Sequence, residues 1–180
     1  MSNIISQQIL LKRYPTGAPT EQDFTCVETT IAELGDGEVL NRTIYLSLDP
    51  YMRGRMSDRA SYASPIALGS VMVGSTVSQI VKSNHSQFSV GDFVVGYDGW
   101  QSYAIAKGET LRQLDPNQLP ISYALGITGM PGMTAYFALL DIGKPKAGET
   151  IVVSAASGAV GALVGQIAKI KECRDRKSVV

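Results

Sequence analysis

Two glycines three residues apart, Gly158 and Gly161, stand between a short β-branched run at 151–153 and a segment with apolar residues at helical spacing. A glycine at the first position lets a phosphate approach the backbone, and one at the second lets the helix pack closely on the strand. The N–H groups that begin such a helix favour an anion. The pattern predicts a weakened dinucleotide-binding turn, although such glycines also occur for packing alone. The predicted binding residues are Ala156, Ser157, Gly158, Ala159, Val160 and Gly161.

Composition argues against several other kinds of chemistry. The single histidine, His85, leaves no basis for a histidine–cysteine metal site or for a Ser-His-Asp triad. The 180 residues carry no net charge and no basic block, so we predict neither a nucleic-acid partner nor a membrane partner. Two cysteines, Cys26 and Cys173, do not make a disulfide framework and favour a cytoplasmic location.

The elements that must position the glycine turn change in character along the chain. Short β-branched and aromatic runs, separated by glycine and proline turns, predict a small barrel or sandwich of about 120 residues. The predicted strands are 7–14, 24–31, 39–48, 67–73, 75–82, 92–97 and 101–106. From Pro120 the pattern predicts helices at 121–127 and 133–140, then a strand at 151–153 and a helix that ends near Lys171.

A nucleotide-binding sheet needs several βαβ units, and the pattern supplies one strand and one helix. We therefore expect the sequence to be the front part of a longer protein, with an exposed apolar patch on its last helix. Residues 172–180 contain no apolar run before the final two valines, which favours a non-native tail. A charged, solvated helix end is the alternative.

Two further motifs accompany the glycine turn: Leu-Asp-Pro-Tyr-Met-Arg-Gly-Arg-Met at 48–56 and Gly-Met-Pro-Gly-Met-Thr-Ala-Tyr at 129–136. Together they resemble the zinc-free medium-chain dehydrogenase/reductases, the family of prostaglandin, alkenal and curcumin reductases. The resemblance implies a mixed α and β fold, with a GroES-like β-barrel domain at 1–125 and the first βα unit of a truncated Rossmann domain at 126–171. It also implies NADPH as cofactor, an enone or enal as substrate, and a homodimer for the full-length protein.

The same resemblance assigns residues to the site. Tyr51 and Tyr62 match tyrosines that line the substrate pocket, and Met130 and Thr134 match the segment that borders the nicotinamide. The zinc ligands of the related alcohol dehydrogenases are absent, because Ser70 follows Gly69 and no cysteine lies near. A preference for NADPH over NADH is implied by the resemblance alone.

Enone reduction needs a hydride at the β-carbon and stabilisation of the negative charge that develops on the carbonyl oxygen. A tyrosine hydroxyl is a suitable donor to that oxygen, so we predict catalytic roles for Tyr51 and Tyr62. The alternative for each is a partly buried residue with its hydroxyl in water. Arg53 and Arg55 either approach a cofactor phosphate or are solvated loop charges.

Two other functions remain open from the residues. A quinone reductase of the same superfamily shares the glycine turn but lacks the Asp-Pro-Tyr-Met-Arg loop. A non-catalytic β module that binds a partner is the alternative from a different class.

Overall fold

The computed structural model describes residues 4–59 and 62–176 of the chain. These residues belong to two compact units, Met1–Ile121 and Ser122–Val180. Both units combine strands and helices, so the predicted mixed α and β class is confirmed. The division lies close to the predicted boundary at residue 125, and the roles given to the two parts stay predictions.

In the described part of the first unit, seven strands dominate. They are β1 (Ile5–Leu11), β2 (Phe24–Thr30), β3 (Glu38–Leu46), β4 (Thr76–Ser83), β5 (Phe93–Gly96), β6 (Tyr103–Lys107) and β7 (Arg112–Leu114). Five of them form an antiparallel sheet in the order β6-β3-β4-β5-β7, while β1 and β2 form a hairpin. The central position of β3 and β4 explains their β-branched and apolar composition, because both of their edges are paired.

Polar contacts attach the hairpin to the sheet. The Ser6 hydroxyl donates to the carbonyl oxygen of Tyr103 at 2.7 Å, and the Gln8 amide donates to Oε1 of Gln101, also at 2.7 Å. The Ile9 N–H donates to the carbonyl oxygen of Trp100 at 2.9 Å. These bonds give β1 partners on the side away from β2, so that the hairpin and the sheet form one β structure.

A short helix, α1 (Tyr51–Arg55), lies within the motif at 48–56. Its Met52 and the following Met56 enter the main core cluster of the first unit. The buried members of that cluster are Leu11, Met52, Met56, Ile66 and Met72. Apolar burial therefore holds the Asp-Pro-Tyr-Met-Arg segment against the β structure.

The predicted strand at 67–73 is wrong, since this segment contributes only an isolated bridge between Val71 and Leu10. Gly69 lies inside it with φ of +79°, a conformation that breaks a strand. The turn glycines Gly91 and Gly99 have positive φ. Gly74 is different: a Cβ there would lie 2.8 Å from Cδ1 of Leu46, so close packing explains the glycine.

The second unit begins with a 3₁₀ helix at Ile121–Leu125 and continues with α2 (Met130–Phe137) and wider helical turns at Ala138–Gly143. The helix predicted at 133–140 therefore starts three residues early, at Met130. Pro131 lies in the first turn, where its missing N–H costs no hydrogen bond. A proline and two glycines favoured a loop here, but only Gly129 lies outside the helix.

The second unit then forms β8 (Thr150–Val152), α3 (Ala159–Ile170) and β9 (Arg174–Arg176). β9 pairs with β8 in parallel, so the single predicted βα unit is extended to a complete βαβ unit. Its charged sequence carries no apolar pattern, which is why a strand was not predicted. The non-native origin of 172–180 stays a prediction, and residues 177–180 lie outside the described residues.

The strand predicted at 151–153 is largely exposed in this structure. Val152 is 73% exposed and Ile170 on α3 is 76% exposed, whereas Ile151 is half-buried. The apolar patch expected on the last helix is therefore present in part.

Glu172, directly after α3, has φ of +57°. This left-handed conformation is the one that glycine adopts at helix C-termini without a steric penalty. We expect Glu172→Gly to raise the free energy of unfolding by about 1 kcal/mol, because it removes that penalty. Thermal unfolding of the chain, followed by circular dichroism, measures the change. The control is Lys171→Gly, where φ is −85° and no strain is relieved. A lower stability of the Glu172 variant would contradict the assignment.

Candidate functional site

Tyr51 lies at the start of α1, directly after Pro50. Pro50 forms the N-cap with φ of −56° and ψ of −31°, and its ring fixes that φ. Tyr51 is half-buried and packs against the cluster that contains Met52 and Met56. Both the backbone and the core therefore limit where the phenol can point.

The Tyr51 hydroxyl forms a hydrogen bond with the hydroxyl of Tyr97, a residue 46 positions later in the chain. Either hydroxyl can act as the donor. Tyr97 follows β5 and is 55% exposed. The pair thus connects a half-buried hydroxyl with a side chain that water reaches. The sequence indicated no role for Tyr97.

A buried polar cluster fixes the residue after Tyr97. The Asp98 carboxyl oxygen Oδ2 accepts hydrogen bonds from Asn41 Nδ2 at 3.0 Å and from the Ser78 hydroxyl at 3.1 Å. The Asp98 N–H donates to the Thr76 hydroxyl at 3.3 Å. Asn41, Thr76 and Ser78 are fully buried and belong to β3 and β4. The turn that carries Tyr97 is therefore attached to the two central strands.

Burial shifts both titratable groups of this region. It raises the pKa of the Asp98 carboxyl above its ordinary value, although the hydrogen bonds with Asn41, Ser78 and Thr76 oppose the shift. Burial and then the bond to Tyr97 raise the pKa of the Tyr51 hydroxyl. Tyr51 consequently stays protonated and remains a hydrogen-bond donor at physiological pH.

The arginines of the same motif hold loops together. Arg53 donates to the carbonyl oxygen of Pro15 at 3.0 Å and to that of Gly17 at 2.8 and 3.0 Å. Arg55 Nε donates to the carbonyl oxygen of Ser64 at 3.0 Å. These contacts differ from both sequence-based interpretations, because the guanidinium groups are engaged by backbone carbonyls. Arg53 therefore connects α1 with the loop after β1.

Tyr62, the second predicted catalytic tyrosine, is 86% exposed. Within the described residues no hydrogen bond connects it with Tyr51. The structure gives Tyr51 a partner in Tyr97 instead, and the catalytic role of Tyr62 stays a prediction.

In the second unit, the two glycines of the turn have different environments. A Cβ on Gly161 would lie 2.0 Å from the carbonyl oxygen of Ala155, so close packing against the turn requires glycine there. Gly158 is exposed and forms the N-cap of α3 with φ of −73°. A Cβ on Gly158 would meet only that same carbonyl oxygen, at 3.2 Å. Backbone conformation does not require a glycine at 158, and its lack of a side chain leaves the helix start open.

The start of α3 is also free of negative side chains, since no acidic residue lies in its first turn. A pocket of about 380 Å³ borders the turn and includes Ala156 and Gly161 in its lining. The predicted nicotinamide-facing residues, Met130 and Thr134, lie one turn apart on α2 and are both exposed. A pocket of about 580 Å³ at β5 and β7 contains neither the tyrosines nor the glycine turn.

Across residues 4–59 and 62–176, no group of three or more histidine, cysteine, aspartate or glutamate side chains is arranged to hold a metal ion. None of the helices in that part of the chain is long and apolar enough to cross a membrane.

Residues 7–114 match the family described as N-terminal domain of oxidoreductase. Since this match covers more than half of the chain, the chain belongs to that oxidoreductase family. The NADPH-dependent curcumin reductase of Escherichia coli is 56% identical over 165 residues, which are 92% of this chain and 48% of that protein. Prostaglandin reductase 1 of Bos taurus is 46% identical over 167 residues, 91% of this chain and 49% of that protein.

The solved structure of CurA from Vibrio vulnificus in complex with NADPH superimposes with a TM-score of 0.89 at 55% identity. The match covers 94% of this chain and 50% of CurA. The resemblance drawn from the three motifs is thereby confirmed. The chain spans about half the length of the curated relatives it matches.

We expect the polar cluster of Asp98, Asn41, Thr76 and Ser78 to contribute to stability. Asp98→Ala removes the acceptor of two buried donors, and each unsatisfied donor costs about 1–3 kcal/mol. Asp98→Asn keeps an acceptor oxygen and cannot ionise. Because the pKa of Asp98 is raised on folding, the wild-type free energy of unfolding should fall as the pH rises from about 4, the unfolded-state pKa. The Asn variant should lack that fall.

Urea unfolding of the three proteins between about pH 3 and about pH 8 measures both effects. Equal stability of the Ala variant and the wild type would contradict the cluster. A wild-type stability that rises through this carboxyl's titration would contradict the raised pKa.

Proposed function

We propose that this chain supplies the N-terminal half of an NADPH-dependent reductase that reduces the carbon–carbon double bond of α,β-unsaturated aldehydes or ketones. The observation that carries the proposal is the half-buried hydroxyl of Tyr51, which is fixed by Pro50 and kept protonated. The curcumin reductase and prostaglandin reductase names of the relatives support the substrate class.

The glycine turn fits the pyrophosphate of the cofactor. Gly158 presents an exposed, side-chain-free N-cap, and the first turn of α3 carries no carboxylate to repel an anion. Backbone N–H groups at a helix start bind phosphate groups well. Ala156, Ser157, Ala159 and Val160 would complete the contact by their backbones, and Gly161 keeps the helix close to the turn.

When bound, NADPH supplies the hydride. Tyr51 donates a hydrogen bond to the carbonyl oxygen of the substrate and stabilises the negative charge that develops there. A donor that is already oriented and partly shielded from water is worth several kcal/mol of transition-state stabilisation. Neither a metal ion nor a histidine is needed for this step.

The remaining assignments complete the proposal. Tyr62 lines the substrate site, and Met130 and Thr134 border the nicotinamide, as the family resemblance implies. The parent protein is a homodimer in the cytoplasm. The free thiol of Cys173 and the exposed free thiol of Cys26 support a reducing compartment.

The protein expressed from the complete gene should reduce an enal or enone with NADPH, and chelator treatment should leave the rate unchanged. Absorbance loss at the NADPH band measures turnover with a panel of an enone, a quinone and a simple alcohol. Preferred reduction of the quinone would establish the quinone reductase alternative. Metal-dependent alcohol oxidation would contradict the proposal. Binding of a protein partner without any turnover would favour the non-catalytic module.

Cofactor binding should depend on Gly158 in a way that folding does not. Gly158→Val places a branched side chain where the pyrophosphate must lie, so the dissociation constant for NADPH should rise by more than about tenfold, or about 1.4 kcal/mol. The melting temperature should change little, because Gly158 has negative φ and is exposed. Fluorescence titration and thermal unfolding measure the two quantities.

Two glycine variants on α3 serve as controls for this test. Gly165→Ala should leave the NADPH affinity unchanged and raise the melting temperature slightly, since a Cβ there meets no atom within 4 Å and alanine favours the helix. Gly161→Ala should lower the melting temperature, because its Cβ would overlap the Ala155 carbonyl. Unchanged NADPH affinity in the Gly158 variant would assign that glycine to packing alone.

A further inference from the structure

We propose that Tyr97 is a second hydrogen-bond donor to the substrate: its hydroxyl and that of Tyr51 together bind the carbonyl oxygen of the enal or enone. This inference rests on the proposed reductase function and adds a catalytic residue to it. The geometric basis is the hydrogen bond that joins the two hydroxyls and is exposed to solvent. Tyr97 lies outside the three sequence motifs, so only the fold brings it to Tyr51.

The two hydroxyls are close enough to share one ligand atom. Bonds of the O–H···O type are about 2.7–2.8 Å long, so two bonded oxygens leave positions where a third oxygen lies within reach of both. Because the bond between Tyr51 and Tyr97 is exposed, a ligand can approach the pair from the solvent side. The pair therefore offers a site for one carbonyl oxygen.

The number of protons in the pair is sufficient for this role. Each phenol has one proton to donate and two lone pairs that accept. The bond between the hydroxyls uses one of the two protons, whichever tyrosine donates it. One O–H proton is therefore always left for a ligand. The second can follow by rotation of the hydroxyl hydrogen alone, which requires no movement of either ring.

The backbone holds Tyr97 in place while its side chain stays accessible. The next residue, Asp98, is attached to β3 and β4 through Asn41 and Ser78. The preceding Gly96 ends β5, which is paired with β4. Tyr97 itself is 55% exposed. Its hydroxyl is thus a donor whose position is set before any substrate arrives, as stabilisation of a developing charge requires.

The two donors should matter most in the transition state. In the free protein the hydroxyls bond to a neutral oxygen, whereas hydride transfer places negative charge on the carbonyl oxygen of the substrate. Hydrogen bonds to a charged acceptor are about twice as strong as those between neutral groups. Replacing the bond between the tyrosines by two bonds to the substrate becomes more favourable as that charge develops. Loss of either hydroxyl should consequently lower kcat more than it raises KM.

The test compares Tyr51→Phe, Tyr97→Phe and the double variant in the protein expressed from the complete gene. Each single variant keeps one donor, so kcat with an enone should fall by about tenfold in each, whereas loss of both should lower it by about 1,000-fold. The decisive comparison is the effect of Tyr97→Phe in the Tyr51→Phe background, which should be about 100-fold. No further loss in that background would overturn the proposal, because Tyr97 would then act only through Tyr51.

Tyr45→Phe is the matched control, since it removes the hydroxyl of an exposed tyrosine on β3. Its kcat and KM should equal those of the wild type. Tyr97→Phe should keep the wild-type melting temperature, because the substitution retains the ring and removes an exposed hydroxyl.

Infrared spectroscopy gives a second measurement that does not depend on turnover. An enone labelled with ¹³C at its carbonyl carbon is bound together with NADP⁺, which has no hydride to deliver. Hydrogen bonds to the carbonyl oxygen weaken the C=O bond, so its stretching frequency should be lower in the wild type and in Tyr45→Phe than in Tyr97→Phe. The same frequency in all three proteins would contradict a hydrogen bond from Tyr97.

The two measurements separate this inference from the proposed function. A carbonyl frequency that depends on Tyr97 in a protein that does not reduce the enone with NADPH would support the paired donors and contradict the reductase. Enone reduction with a kcat and a carbonyl frequency that do not respond to Tyr97→Phe in either background would support the reductase and contradict the role of Tyr97.

Discussion

The candidate site of the first unit depends on the hydrogen bonds of Asp98, because they position the turn that carries Tyr97. The Asp98 carboxyl accepts hydrogen bonds from fully buried Asn41 and Ser78, while the Asp98 backbone N–H donates to the hydroxyl of fully buried Thr76. A largely buried carboxyl without partners would be unfavourable, so these hydrogen bonds hold the turn after β5 in the observed position. That position determines where Tyr97 lies, and Tyr97 in turn reaches the Tyr51 hydroxyl.

The Asp-Pro-Tyr-Met-Arg segment is constrained by three kinds of contact at once. Pro50 sets the start of α1, Met52 enters the apolar cluster, and Arg53 bonds to the carbonyls of Pro15 and Gly17. None of these residues contacts a reacting group in the proposed mechanism. Their effect is to leave the Tyr51 phenol few orientations, which is what a preorganised donor requires. Most residues of the motif thus serve to orient the Tyr51 side chain.

The two glycines of the turn in the second unit have different roles. One is needed for close packing, and the other leaves the backbone accessible. Gly161 satisfies a steric requirement within the fold, because any Cβ would overlap the backbone at Ala155. The requirement at Gly158 is much weaker, since its φ is negative and a Cβ would meet only the Ala155 carbonyl oxygen, at 3.2 Å. A glycine at a position where the fold does not demand one fits the proposal that a ligand approaches the backbone closely there. This difference is the strongest structural support for the nucleotide hypothesis.

The sequence alone determined the features that depend on neighbouring residues. Alternating or β-branched runs predicted most strands, glycine spacing predicted the turn before α3, and the motif at 48–56 singled out Tyr51. Local pattern failed at β9, where packing in parallel with β8 imposes a strand on charged residues. It also failed at 67–73, where Gly69 breaks an apolar run.

Only the tertiary structure decided the contacts between distant residues. Tyr51 and Tyr97 are 46 positions apart, and Asn41 and Asp98 are 57 apart, so no local spacing relates them. The hydrogen bonds of Arg53 to backbone carbonyls could not be predicted from the sequence either, because every residue has a carbonyl group. Secondary structure follows from short-range propensity and periodicity, whereas the partner of a buried or half-buried polar group is chosen by how the strands assemble.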